Sequence, residues 1–443
     1  MRSPMRFNRL LATLFALVLL AAACGSDDDG GDGDTTTTGG DGAAVDLTGQ
    51  SVEVAAIWSG DEQERFEAVL DGFEEATGAT VAYSSTGDDI AAVLGTSIAG
   101  GSPPDVAILP QPGLLSDLAG QGALVEIQDA AGALVDSNYA PVWRDLGSVD
   151  GTLYGVWFKA ANKSTVWYNV GAFGDAGVEP PETWDDFLAV LQALSDAGIP
   201  PLSVAGADGW TLTDWFENVY LRTAGADSYD ALVAHEIPWT DDTVVTALET
   251  LAEAFTADFL ADGSSAALQT DFPTSVTNTY SDPPGAGVVY EGDFVAGVIS
   301  DETTAVLGTD ADFFPFPSID GSPSSVVGGG DVAVLLADTE AGNELIKYLA
   351  SAEAAEIWAG LGGFTSPNQG VDSSIYPDAI TARSAEALTA AEVFRFDLSD
   401  LQPSAFGGTV GSGLFKQFQD FLGDTTSIAA VTGDMEASAA AAF

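Results

Sequence analysis

Apolar residues change their spacing along this chain in a way that lays out alternating strands and helices. The run Val52–Ile57 is short and apolar apart from Glu53, and reads as a buried strand. Apolar residues then recur at Phe66, Val69, Leu70 and Phe73, one face of a helix that a Ser59/Glu62 capping box would open and Gly78 would end. Thr80–Tyr83 reads as a second strand, and Ile90, Val93, Leu94 and Ile98 as a second helix closed by Gly100-Gly101 and Pro103-Pro104. Val106–Leu109 is a third strand, with Leu114, Leu115 and Leu118 on a short helix behind it. Strand and helix alternating at this spacing predict a parallel α/β sheet. Ligands of such sheets lie beyond the carboxyl ends of the strands. Here those ends carry Trp58-Ser59-Gly60, Ser85-Thr86-Gly87-Asp88 and Pro110-Gln111-Pro112-Gly113.

A second α/β region opens after Lys163. Thr165–Tyr168 suits a strand, and Thr183 caps a predicted helix carrying Phe187, Leu188, Leu191 and Leu194. Further helices are expected over Trp215–Thr223 and Val244–Phe259, and strands at Val288–Tyr290 and Val332–Leu336. One long helix is expected from Glu340 to Ala359, then a C-terminal one around Phe415, Phe418 and Phe421.

The N-terminus reads differently. Arg2, Arg6 and Arg9 precede an apolar run, Leu10–Ala23, that has the proportions of a secretory h-region and is too short for a permanent span. Cys24, the sole cysteine, follows it, so 1–23 resembles a bacterial lipoprotein signal with Cys24 as the lipidated residue, although Ala21 stands where such signals usually carry Leu. Several acyl chains on Cys24 would fix the protein to a membrane's extracytoplasmic face, at the cell surface or in the periplasm. Residues 24–49 are almost wholly Gly, Asp, Ser, Thr and Ala, and are expected to form an acidic tether reaching roughly 25–30 Å.

About 395 residues remain, which suits two lobes rather than one core. The chain has 67 acidic against 12 basic residues and a formal charge of −55. Such a surface repels phosphate backbones, which excludes nucleic acid as a partner; a saline habitat accounts for it without a functional role. One cysteine rules out an internal disulfide, and His235 is the only histidine, so neither a zinc centre nor a His-based triad is predicted, and no cofactor is implied.

Several segments taken in order resemble the extracellular solute-binding proteins of carbohydrate ABC transporters, the maltose-binding-like group. They are WSGDEQERFEAVLDGFEEATG from Trp58, GSPPDVAILPQPGLLSDLAGQGALVEI from Gly101, GTLYGVWFKAANKSTVWYN from Gly151, PPETWDDFLAVLQAL from Pro180, then VVYEGDFVAGVI and the run from FFPFPSIDG to LGGFTSPN. The texture is nearest to binders of α-glucosides and related oligosaccharides. The resemblance implies a two-lobe periplasmic-binding-protein fold of type II, each lobe a mainly parallel sheet flanked by helices. It would divide as 50–160 plus 328–365 for the first lobe and 161–327 plus 366–443 for the second, closing over ligand like a clamp. It also implies a monomeric receptor that hands a sugar to permease subunits and does no covalent chemistry.

Sugars present a C–H face and a hydroxyl rim, so a receptor needs aromatic platforms and polar side chains. The candidates are Trp58, Asp88, Gln111, Lys159, Trp210, Asp214, Trp215, Glu291, Asp293, Asp331 and Phe364. Some have a structural alternative: Trp58, Trp215 and Phe364 as core, Lys159 and its neighbour Lys163 as internal ion pairs, whereas Glu291 and Asp293 at a strand end are hard to explain by packing. Gly328-Gly329-Gly330 before Asp331 implies close backbone approach near a crossing. Two other readings stay open: a receptor for a polyamine, peptide or polyol, which the acidic bias would suit, and a secreted glycoside hydrolase.

Overall fold

The computed structural model describes residues 45–443, so the signal segment, Cys24 and most of the tether lie outside the described residues. Val45–Gly49, expected as the end of the tether, already belongs to the folded body. Leu47 is fully buried and its N–H donates to the Thr77 carbonyl at 2.8 Å.

The first sheet is built from β1 (Ser51–Ala56), β2 (Thr80–Ser85), β3 (Val106–Leu109) and β4 (Gly155–Asn162). The second has β5 (Thr165–Asn169), β6 (Leu202–Ser203), β7 (Val288–Tyr290) and β8 (Ala311–Pro315). The long β9 (Ser325–Leu335) and β10 (Val393–Phe396) return to the first sheet, whose order is β10-β9-β3-β1-β2 with β4 also on β9. β1 runs parallel to β2 and β3, as the alternating pattern predicts, while β9 runs antiparallel to β3 and β4. The second sheet, ordered β8-β5-β7-β6, departs from the expected parallel arrangement. β5 is antiparallel to both neighbours and only β6 and β7 are parallel. The chain leaves the first sheet directly, through Lys163 and Ser164, and enters as β5 between β7 and β8 against their direction.

Two large cores result. The first gathers Trp58, Phe66, Phe73, Phe158 and Trp358; the second gathers Phe187, Trp215, Phe216, Tyr229, Trp239 and Phe418. The chain crosses between them at Lys163–Ser164, along β9, and between Phe396, in the first core, and Leu398, in the second. Past the expected boundary at 365 the chain touches both lobes, since Ile380 packs with Trp167 and Phe313, and Arg383 pairs with Asp312, on the second. Asn368 Nδ2 donates to the Ala350 carbonyl and Gln369 N–H to that of Asn138, which ties this segment to the first lobe.

Three local expectations also change. The Ser59 hydroxyl caps nothing, and Glu62 pairs with Lys159 instead of reaching back along the helix Gly60–Thr77. The long helix is two helices, Glu340–Leu349 and Ala352–Leu361, separated where the Ser351 hydroxyl accepts the Ala354 N–H and restarts the spiral. Helix Trp210–Ala224 starts five residues before Trp215. Among the described residues no helix is long and apolar enough to cross a membrane.

Candidate functional site

The site grows from the first crossing. β4 is buried along its whole length and delivers Lys159 into the seam between the cores, with Lys163 four residues on. The Lys159 ammonium bonds Glu62 Oε1 at 2.5 Å and lies 5.1, 5.7 and 5.8 Å from the ring centres of Trp358, Trp58 and Phe294. Burial works to discharge this lysine, but Glu62 and Asp331 outweigh it and raise its pKa. Asp331 sits at a bulge of β9 and is pushed up to about 6, by burial first and against the pull of Lys159. Asp293, after β7, is raised to about 6, again by burial first; the Thr365 hydroxyl donates to its Oδ2 at 2.7 Å across the lobes.

Lys163 centres a second cluster. Its ammonium pairs with Asp397, with Asp214 at 3.3 Å and with Asp400 at 3.8 Å, and stands 5.6 Å from the Trp210 ring. Burial opposes its charge, yet these carboxylates hold it well above the ordinary lysine value. Glu217 turns away from the lysine and accepts the N–H groups of Leu398 and Ser399 at 2.7 and 2.9 Å, which shapes the third crossing.

The lobes meet on either side of these clusters. Arg65, on helix Gly60–Thr77, pairs with Asp301 on helix Val295–Glu302. Beside it Gly297 and Gly363 approach so closely that a Cβ on Gly363 would lie 3.1 Å from Gly297 Cα. Gln111 packs against Gly408, where an added Cβ would fall 1.8 Å from its amide and push that amide aside. Asp88 lies on an exposed tip of the first lobe. Asp208, on the second, feels it: burial first, then the charges of Asp88 and Asp271, raise Asp208 to about 6. A cavity of about 420 Å³ lies beside the Arg65 and Gly363 contact, lined by Arg65, Ala296, Ser300, Leu361, Gly363 and Thr381, and none of the expected ligand residues lines it.

The structure thus brings Trp58, Lys159, Asp293, Asp331 and Phe364 together in one group, and Trp210, Asp214 and Glu291 in another. Two of the expected platforms are packed aromatics. Trp58 is 2% exposed, edge-on to Phe66 and Trp358, and Phe364 stacks on Trp358 at 5.2 Å. Trp215 does not belong to the site at all: it is core, 4.4 Å from the Tyr290 ring and flanked by Phe255 and Phe316. Trp210 is only partly buried, with Phe272 and Phe294 beside it. Sequence reasoning passed over Glu62, Asp208, Phe294, Trp358, Asp397 and Asp400. Only the run Asp397–Asp400, two acids after a strand end, carried a local signal for any of them.

Two α/β lobes, three crossings and a charged, aromatic seam between them define a clamp-like receptor. The chain belongs to the bacterial extracellular solute-binding protein family, whose profile matches residues 59–356. Family membership makes it a solute binder working outside the cytoplasm, with binding rather than catalysis as its role. Its relatives include the osmoprotective compounds-binding protein GgtB of Synechocystis sp., 37% identical over 85% of this chain and 90% of the relative. Another is the alpha-glucosides-binding periplasmic protein AglE of Rhizobium meliloti, 36% identical over 88% of each. Among solved structures, the solute receptor AcbH superposes with a TM-score of 0.78 at 22% identity, covering 88% of this chain and 99% of that one. A chitin oligosaccharide binding protein gives 0.77 at 21%, covering 88% and 98%. These likenesses establish the type II two-lobe fold.

Proposed function

We propose that this protein is the capture subunit of an ABC importer for a carbohydrate, an α-glucoside or related oligosaccharide, which it binds between its lobes and passes to the permease. The observation that carries this is the convergence of Lys159, Asp293, Asp331, Trp210 and Asp214 on the lobe seam in a chain whose long-range relatives include an alpha-glucosides-binding protein. Hydroxyls need paired donors and acceptors, and Lys159, Lys163 and the carboxyls around them supply both at one place. A basic or polyol solute is the second reading, favoured by the surplus of carboxyls over lysines in the seam. A thermal-shift and calorimetric screen across α-glucosides, polyols, polyamines and peptides tests it: saturable binding of a sugar alone supports the proposal, and binding of amines or peptides alone overturns it. We extend the proposal to the N-terminus, where Cys24 carries the lipid anchor of a monomeric receptor. Cys24→Ser is then expected to release the protein from membrane pellets.

A further inference from the structure

We propose that Lys159 is a specificity residue that keeps basic solutes out of the seam: its ammonium is the resident guest of an aromatic and acidic cage that a free amine would otherwise fill. The proposal rests on the seam being the solute site, and within that reading it selects a neutral guest over a basic one.

The cage is assembled from distant parts of the chain. Trp58 follows β1, Glu62 lies in the first turn of helix Gly60–Thr77, Trp358 is on helix Ala352–Leu361, and Phe294 opens helix Val295–Glu302 of the second lobe. The Lys159 ammonium faces these three rings at 5.1 to 5.8 Å from their centres and bonds Glu62 Oε1 at 2.5 Å. The charges of Asp331 and Asp293 add to that of Glu62. Aromatic faces backed by carboxyls are the chemistry that recognises a free ammonium. An ion pair alone does not call for such walls. The Glu62 side chain is 41% exposed while that of Lys159 is 5% exposed, so a lysine could pair with this glutamate in water without losing its own hydration. The rings stand where that water would be. Phe294 and Asp293 come from the second lobe, so the cage is complete only when the lobes meet.

Elsewhere the seam offers an amine little. Lys163 repeats the pattern, with its ammonium 5.6 Å from the Trp210 ring and paired with Asp214, Asp397 and Asp400. Asp214 and Glu291 hydrogen-bond each other, and burial lifts both well above the ordinary carboxyl range, so this pair carries less negative charge than its count of acids suggests. The acid surplus is thus answered from within. A neutral polyhydroxylated solute can accept hydrogen bonds from these ammonium groups, whereas an amine must displace one, and a tethered lysine returns at high local concentration.

The test removes the resident guest from the full chain. Lys159→Ala deletes a propylammonium-sized group, so n-propylammonium chloride is the probe and n-propanol its uncharged control, both in about 0.5 M NaCl to screen the acidic surface. Propylammonium is expected to raise the melting temperature of Lys159→Ala saturably and to bind it at least about tenfold more tightly than it binds the parent. Propanol should do neither, and Lys159→Met, which fills the space without the charge, should ignore both probes. No propylammonium response in Lys159→Ala overturns the proposal. So does an equal response to propanol, an equal response in Lys159→Met, or tight binding of propylammonium or putrescine by the parent. If Lys159→Ala does not fold alone, the probes are added during refolding from urea. Recovery with propylammonium only supports the proposal, and no recovery overturns it. Sugar is absent from every arm: a failed rescue leaves the carbohydrate reading standing, and a parent that binds no sugar leaves the rescue standing.

Discussion

At the scale of single residues, two tryptophans five positions apart on one helix do different work. Trp210 opens helix Trp210–Ala224, is partly buried, and lies under the Lys163 ammonium. Trp215 is 1% exposed in the second core. Trp210→Ala is therefore expected to weaken ligand binding about 30-fold, the loss typical of an aromatic anchor, and to leave the unfolding midpoint of the free protein nearly unchanged. Trp215→Ala should do the reverse, costing about 3–5 kcal/mol of stability in denaturant titration. Equal unfolding curves for the two variants would dissolve the distinction. The sequence shows two indoles in one cluster and cannot separate them, because exposure depends on what the other faces of the helix meet. Trp58 makes the same point: it stands one residue beyond a predicted strand end, yet its ring turns inward under Trp358, 300 positions away.

At the scale of elements, closure is a contact between helices Gly60–Thr77 and Val295–Glu302 and the loop at Gly363. Arg65 and Asp301 pair across it, and Gly297 meets Gly363 with no side chain between them. A Cβ on Gly297 would lie 2.9 Å from Arg65 Nη1 and 3.6 Å from Gly363 Cα, so valine there must push the loop and the arginine aside. Gly297→Val is expected to shift the protein toward an open form. Small-angle scattering should show a larger radius of gyration with ligand present, and ligand should dissociate faster. An unchanged scattering curve would mean that this contact does not govern closure. The elements of the first lobe were legible from periodicity, since Phe66, Val69, Leu70 and Phe73 are indeed the buried face of their helix. The seam was less so. Glu62 looks like a helix cap within its own segment, and only the arrival of Lys159 from β4 makes it a site residue. The break at Ser351 was hidden for a similar reason: apolar spacing continues through it, while the cap depends on one hydroxyl.

At the scale of the molecule, a formal charge of −55 means that each carboxyl brought together on folding adds to the repulsion. Burial raises Asp208 and Asp331 to about 6, and neighbouring acids (Asp88 and Asp271 for the first, Glu62 for the second) add to it. A carboxyl raised on folding keeps its proton in the folded chain at a pH where the unfolded chain has lost it. Its contribution to stability is whole below about pH 4, the unfolded value, and is lost as pH rises through about 6. Asp331, buried beside Lys159, corresponds to about 2–3 kcal/mol at most across that window; Asp208, only partly buried, counts for less. Asp397 runs the other way, held below the usual range chiefly by Lys163 against its own burial, so its contribution fades only below about pH 4. The melting temperature should therefore rise by about 4 °C between pH 7.5 and 5, and fall again in stronger acid. Asp331→Asn should shrink the rise, Asp293 and Asp208 keeping their share of it, while the acid fall stays, since that depends on Asp397. Asp88 and Asp208 stand on opposite lobes, so the same protonation eases their approach, and closure should follow pH in the same direction as stability. Calorimetric scans of both proteins across pH check this; a parent protein that is more stable at 7.5 than at 5 would show that the seam carboxyls ionise without cost, against their burial.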